Sequence, residues 1–126
     1  MFTVKTFLEK SPINGVGCIA GEFIPKGTII WKFQENFDVR IDDLQFKELP
    51  KIAQEFVLHF AYYSKKEGGY IVCLDNAKYT NHSLDPNMKT IDKETCIAVK
   101  DINDGEEITE DYFGFDENAS MKLGVK

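Results

Sequence analysis

Hydrophobic positions in the first third of the chain come in short runs separated by turn residues. Ser11-Pro12-Ile13-Asn14-Gly15 and Ile24-Pro25-Lys26-Gly27 break the pattern. The runs between them, such as Thr28-Ile29-Ile30-Trp31-Lys32-Phe33, are rich in β-branched and aromatic residues. Residues 4–33 therefore predict several short strands. The period then changes. Ile52, Ala53, Phe56, Val57, Phe60 and Ala61 fall at helical spacing and draw one apolar stripe. Pro50 suits the first turn of that helix, where its missing N–H costs little. Gly68-Gly69, after the basic pair Lys65-Lys66, predicts the stop. His59, at the edge of the stripe, reads as a packed or half-exposed side chain.

Strand character returns at Tyr70-Ile71-Val72-Cys73-Leu74 and again at Thr95-Cys96-Ile97-Ala98-Val99. Between them, residues 75–87 are polar with little regular pattern. Asp101-Ile102-Asn103-Asp104-Gly105 is a turn, and the residues after Phe115 are few and polar. The pattern predicts one mainly β domain over residues 1–126, with many short strands around one main helix.

Composition agrees with a packed core. Of 126 residues, 43% are hydrophobic, including ten Phe, five Tyr and one Trp. No run approaches the roughly 20 apolar residues of a membrane helix. Met1-Phe2-Thr3-Val4-Lys5 has no basic-then-apolar leader pattern. A soluble, intracellular protein without a membrane partner is expected. Cys18, Cys73 and Cys96 form no close pair, so they read as buried small hydrophobes in a reduced compartment, and no metal site is expected. The net charge of −6 disfavours direct nucleic-acid binding and would attract a basic protein or peptide.

Gly15-Val16-Gly17-Cys18-Ile19-Ala20 spells a dinucleotide fingerprint, but Gly21, Pro25 and Gly27 leave no room for the helix that motif must open. What survives is a pair of glycines whose backbone could approach a ligand closely. The 101–105 turn fails as a calcium loop, since its glycine comes fifth and Tyr112 stands where a bidentate Glu is needed. Asn81-His82-Ser83 is formally a glycosylation acceptor, of no use to an intracellular chain. His82, Ser83 and Asp85 are the residue types of a hydrolytic triad, packed too closely in sequence for its geometry to be inferred.

Three segments carry a family resemblance. Lys78-Tyr79-Thr80-Asn81-His82-Ser83-Leu84-Asp85-Pro86-Asn87 resembles the Asn-His-Ser-x-x-Pro-Asn segment of SET domains. Gly105-Glu106-Glu107-Ile108-Thr109-Glu110-Asp111-Tyr112 is similar to that family's Gly-Glu-Glu-Leu-Thr-x-Asp-Tyr, and Gly15-Val16-Gly17 to its N-terminal Gly-x-Gly. The three occur in the family's order and cover nearly the whole chain, as in small stand-alone bacterial and viral members.

The resemblance implies a β-clip-like SET fold: several short sheets, a pseudoknot made by the two C-terminal motifs, and a variable insert over about residues 36–74. It also implies a protein-lysine methyltransferase that uses S-adenosylmethionine, with a non-catalytic module gripping a basic peptide or the donor as the alternative. Gly15, Val16 and Gly17 would lie along the donor's methionine portion. Asn81 would hydrogen-bond the donor, the His82 main chain would meet the adenine, and Phe113 or Phe115 would stack on it. Tyr112 matches the catalytic tyrosine, positioning amine and methyl, and Tyr62, Tyr63, Tyr70 and Tyr79 are candidates for the substrate channel. A nuclear location would follow if the substrate were chromatin. Many members close that channel with a cysteine-rich zinc segment, and residues 113–126 contain no cysteine. Those few residues, a second subunit in a homodimer, or the substrate would have to complete the site.

Overall fold

The structure is a computed structural model that describes residues 1–92 and 94–124. Strands β1 (Thr6–Lys10) and β2 (Val16–Ala20) pair antiparallel, with Thr6 opposite Ala20 and Lys10 opposite Val16. Gly15 ends the turn between them at φ 47, in the left-handed region where a side chain would be strained. Strand β3 (Ile29–Lys32) follows the proline–glycine turn and joins a different sheet.

Residues 39–72 build a separate layer. Strand β4 (Val39–Asp42) leads into helices α1 (Asp43–Glu48) and α2 (Lys51–Phe60), then strands β5 (Tyr62–Ser64) and β6 (Gly69–Val72). The strands form a sheet in the order β4-β6-β5. Helix α1, which the sequence pattern does not reveal, starts from a capping box. The Asp42 carboxylate accepts from the Gln45 N–H at 2.7 Å, and the Gln45 side chain accepts from the Asp42 N–H at 2.9 Å. A helix of 6 residues offers too few repeats for a period to show.

Helix α2 departs from expectation at both ends and on its face. Pro50 precedes the first turn as the N-cap residue, and the helix stops at Phe60, well short of Lys65-Lys66. Ala61 becomes extended, and Tyr62 to Ser64 pair with β6 instead. Of the apolar stripe, only Val57 and Ala61 are buried, packed with Tyr70 and Val72 of β6. Ile52 and Phe56 are exposed, because only the last turns of this short helix reach the sheet.

The polar stretch after β6 is more regular than its sequence suggests. Asp75 caps a 3-10 turn over Asn76–Tyr79, its carboxylate accepting from the Ala77 N–H at 3.1 Å. Strands β7 (Asn81–His82), β8 (Met88–Asp92), β9 (Thr95–Ala98) and β10 (Thr109–Glu110) then complete a sheet with β3 in the order β3-β9-β8-β10-β7. Strand β10 lies between β7 and β8 and runs parallel to both, although residues 83–87 join those two strands directly. The later segment is thus threaded through an earlier loop, which is the pseudoknot. A 3-10 turn at Tyr112–Gly114 and a short helix α3 (Ala119–Lys122) follow.

The main core lies under β2, β3, β8 and β9. Ile24, Ile30, Ile102 and Ile108 are at most 1% exposed. Each contributes about 1.5–3 kcal/mol by leaving water. Fold class is as expected: mainly β, several short sheets, and a pseudoknot.

Candidate active site

The three sequence motifs meet at one carboxylate. Residues 105–108 run beside β2, where the Ala20 N–H donates to the Glu106 carbonyl and the Ile108 N–H to the Cys18 carbonyl, each at 2.8 Å. This pairing brings Glu107 against the turn of the β1–β2 hairpin. Its side chain accepts from the Ser11 hydroxyl at 2.7 Å and from the Asn81 amide at 2.9 Å. The same Asn81 amide reaches the Asn14 carbonyl at 3.1 Å and the Val16 carbonyl at 3.4 Å. Asn81 is buried, and its amide donors are engaged within the protein.

The threaded strand is held by a second amide. Asn87 accepts from the Thr109 N–H and donates to the Glu107 carbonyl, both at 2.8 Å. A side chain in the loop thus does for β10 what a neighbouring strand would do. On the other side, the Ser83 N–H donates to the Glu110 carbonyl at 3.1 Å.

Strand β10 delivers Tyr112 to a defined place. Its hydroxyl donates to the Thr80 carbonyl at 2.5 Å, and its N–H donates to His82 Nδ1 at 3.1 Å. The second bond needs a lone pair on Nδ1, so in this arrangement a neutral His82 carries its proton on Nε2. Burial, reinforced by Asp116 and Glu110, pushes the Tyr112 pKa up to about 12. Tyr112 is therefore a phenol at neutral pH.

The two C-terminal aromatics part company. Phe113 is 51% exposed and stands edge-on to His82, with ring centroids 5.7 Å apart. Phe115 turns inward, edge-on to Tyr62 at 5.3 Å and to Tyr112 at 5.9 Å. Phe115, Tyr112, Tyr62 and Thr80 line a cavity of about 360 Å³ that also reaches Trp31, Met88 and Glu110.

Of the tyrosines proposed for a channel, Tyr62 alone lines this cavity. Tyr63 and Tyr70 pack against each other at a tilt, with ring centroids 4.9 Å apart, within the layer of residues 39–72, and Tyr79 packs edge-on to Phe60 at 5.5 Å. β-strand alternation explains the split: neighbours Tyr62 and Tyr63 point to opposite faces of β5. His59 is exposed at the cavity's edge, its ring against Phe60. The cysteines are free and buried, and burial raises all three thiols, Cys18 to about 12.

The segment after Tyr112 supplies a wall from within the same chain. Asp116 is buried and accepts from the Tyr63 N–H at 3.0 Å and the Asn118 N–H at 2.9 Å. Lys122 pairs with it at 2.6 Å and also donates to the Ala61 carbonyl. Both residues, with Phe115, line the cavity.

Residue type and spacing alone mark no role for Thr80, Asn87, Glu107, Glu110, Asp116 or Lys122. Thr80, Asn87, Glu107 and Glu110 stand inside the quoted motifs, and that membership is their only signal. Asp116 and Lys122 carry none.

The fold and site together define a class: a mainly β domain knotted by its C-terminal motif, with a half-buried tyrosine in the wall of an aromatic cavity. A family model described as "SET domain" matches residues 15–113. The chain belongs to the SET-domain family. Solved structures share the fold. A Chaetomium thermophilum Polycomb Repressive Complex 2 in an autoinhibited conformation, bound to S-adenosylmethionine, matches at TM-score 0.67 and 23% identity over 96% of this chain and 16% of that one. A humanized mutant of the same complex bound to the inhibitor GSK126 matches at 0.66 and 22%, over 94% of this chain and again 16% of that one. A Plasmodium falciparum candidate histone methyltransferase matches at 0.59 and 23%, over 87% of this chain and 94% of that one. This chain thus spans about a sixth of the Polycomb chains. No curated protein matches the sequence.

Proposed function

We propose that this chain transfers a methyl group from S-adenosylmethionine to the ε-amine of a lysine in a basic protein or peptide. The observation that carries the reading is the Tyr112 hydroxyl, fixed on the Thr80 carbonyl at 2.5 Å in the wall of an aromatic cavity. When bound, the donor supplies a methyl group already activated on a positively charged sulfur. The protein's share is then placement and exclusion of water, and holding reactants in line is worth up to about 7–11 kcal/mol.

The surface around Gly15, His82 and Phe113 fits such a donor. A Cβ built on Gly15 meets nothing within 4 Å, so the backbone there is open to a ligand, and Val16 beside it is exposed. Phe113 offers an exposed ring next to His82, suited to stacking on adenine. With the Asn81 amide engaged internally, hydrogen bonds to the donor are assigned to main-chain groups near Val16 and His82 that remain at the surface. Phe115, facing the cavity, belongs to the acceptor side. The S-adenosylmethionine in the Chaetomium complex supports the choice of donor. The net charge of −6 supports a basic acceptor.

The test combines isotopically labelled donor, a mixture of basic proteins, and mass spectrometry for methyl-lysine. Tyr112→Phe is expected to lower transfer about 100-fold, while donor binding by calorimetry persists. Full activity in Tyr112→Phe would remove the assignment. Donor binding without transfer in the wild-type protein would leave a binding module.

A further inference from the structure

Two buried carboxylates line the cavity, and they differ in what faces them. Asp116 is neutralised by Lys122. Glu110 is 5% exposed, accepts from the Thr90 hydroxyl at 2.5 Å, and has no cation paired with it among the described residues. The groups facing Glu110 from other strands are Thr90 and Cys96, Cys73, and the Tyr62 and Tyr112 phenols. Burial keeps these thiols and phenols protonated at neutral pH. Asp111, the next charged neighbour, is itself negative. Trp31 Nε1 and Thr80 Oγ1, also in the cavity wall, are buried without hydrogen-bond partners among the described residues. A buried carboxylate with no paired cation among the described residues, beside such polar atoms, suits a polar, cationic occupant.

Resting on the reading of the cavity as the acceptor site, we propose that Glu110 receives the substrate's alkylammonium group and takes its proton, delivering a neutral amine beside Tyr112. The N–H bond breaks, its electron pair stays on nitrogen as the nucleophilic lone pair, and the proton bonds to the carboxylate. In a water-poor cavity the neutral amine and neutral acid avoid two buried charges. Burial raises Glu110 to about 7, which brings its basicity closer to that of an amine than an ordinary carboxylate would be. Thr90 is the positioning residue that holds the carboxylate. The acid returns its proton to water once product leaves.

The probe is n-butylammonium, the end of a lysine side chain, followed by NMR titration against wild type and Glu110→Gln, with 1-butanol as the neutral isostere. Wild type is expected to bind n-butylammonium more weakly as pH falls through about 7. Glu110→Gln should weaken that binding about 10- to 100-fold and abolish its pH dependence, with 1-butanol unaffected. Glu110→Asp should restore part of the affinity. In the methylation assay, Glu110→Gln should lower kcat about 100-fold and move the pH profile to alkaline values, where lysine is neutral unaided. Unchanged n-butylammonium binding in Glu110→Gln, or wild-type binding that ignores pH, would overturn the proposal. Failure of wild type to transfer methyl would instead sink the methyltransferase reading, and the n-butylammonium titration would still decide the role of Glu110.

Discussion

The Glu107 carboxylate fills the space beside Gly17: a Cβ built at that position lies 2.5 Å from Oε2 and 2.7 Å from Cδ. Any larger residue at the second glycine of the N-terminal motif would therefore have to displace the protein's own Glu107 side chain. Through Glu107, that displacement would reach Ser11 and Asn81 as well.

Gly17→Ala is expected to push Glu107 aside and loosen its grip on Asn81. Overpacking of this kind costs about 1–3 kcal/mol. Urea unfolding checks the figure. A melt identical to wild type would mean that Glu107 swings away freely.

Asn87→Asp keeps the acceptor for the Thr109 N–H but turns the donor facing the Glu107 carbonyl into an oxygen. The variant should lose about 1–3 kcal/mol, and amide exchange across residues 107–110 should accelerate ahead of exchange in the β1–β2 hairpin. Uniform acceleration would place the loss in global stability instead of the threaded strand.

Asp116→Asn leaves Lys122 without its buried partner. Breaking such a pair costs about 3–5 kcal/mol, here concentrated on the segment that walls the cavity. Trypsin should cut after Lys122 much faster in the variant, and thermal melting should begin earlier. Unaltered cleavage would show that the Tyr63 and Ala61 backbone contacts suffice.

Glu110 makes stability depend on pH in an unusual direction. Its pKa is about 7 in the folded protein against an ordinary 4.5. Between those values the folded state keeps a proton that the unfolded chain releases, so stability falls as pH rises through this window and levels off above it. The full penalty is about 3 kcal/mol. Glu110→Gln should thus match wild type near pH 4 and exceed it by about that amount at pH 8. Denaturation at the two pH values decides; an equal difference at both would assign the effect to packing.

Much of the fold was legible where causes are local. The Ser11-Pro12 and Pro25-Lys26-Gly27 turns, the strands at β3, β6 and β9, and a helix around Val57 followed from turn chemistry and hydrophobic period. The limits of α2 did not, because Tyr62 to Ser64 are equally able to extend the helix or pair with β6, and only the presence of β6 settles which. The exposed Ile52 and Phe56 mark the same limit: a stripe gives a helix its face, while its neighbours decide how much of that face is covered.

By itself, the sequence determined the family, through three ordered motifs, and the chemical types present at Gly17, Asn81, His82 and Tyr112. The tertiary structure decided what those groups touch. Tyr112 and Thr80 are 32 positions apart, and Ser11 and Glu107 are 96 apart. No local preference can encode contacts at such separations. The structure also separated Phe113 from Phe115, set Tyr62 in the cavity wall apart from Tyr63, and buried Glu110 without a counter-ion among the described residues. Burial and partnering are properties of surfaces brought together when β10 threads between β7 and β8, so the basicity of Glu110 arises only in the folded chain.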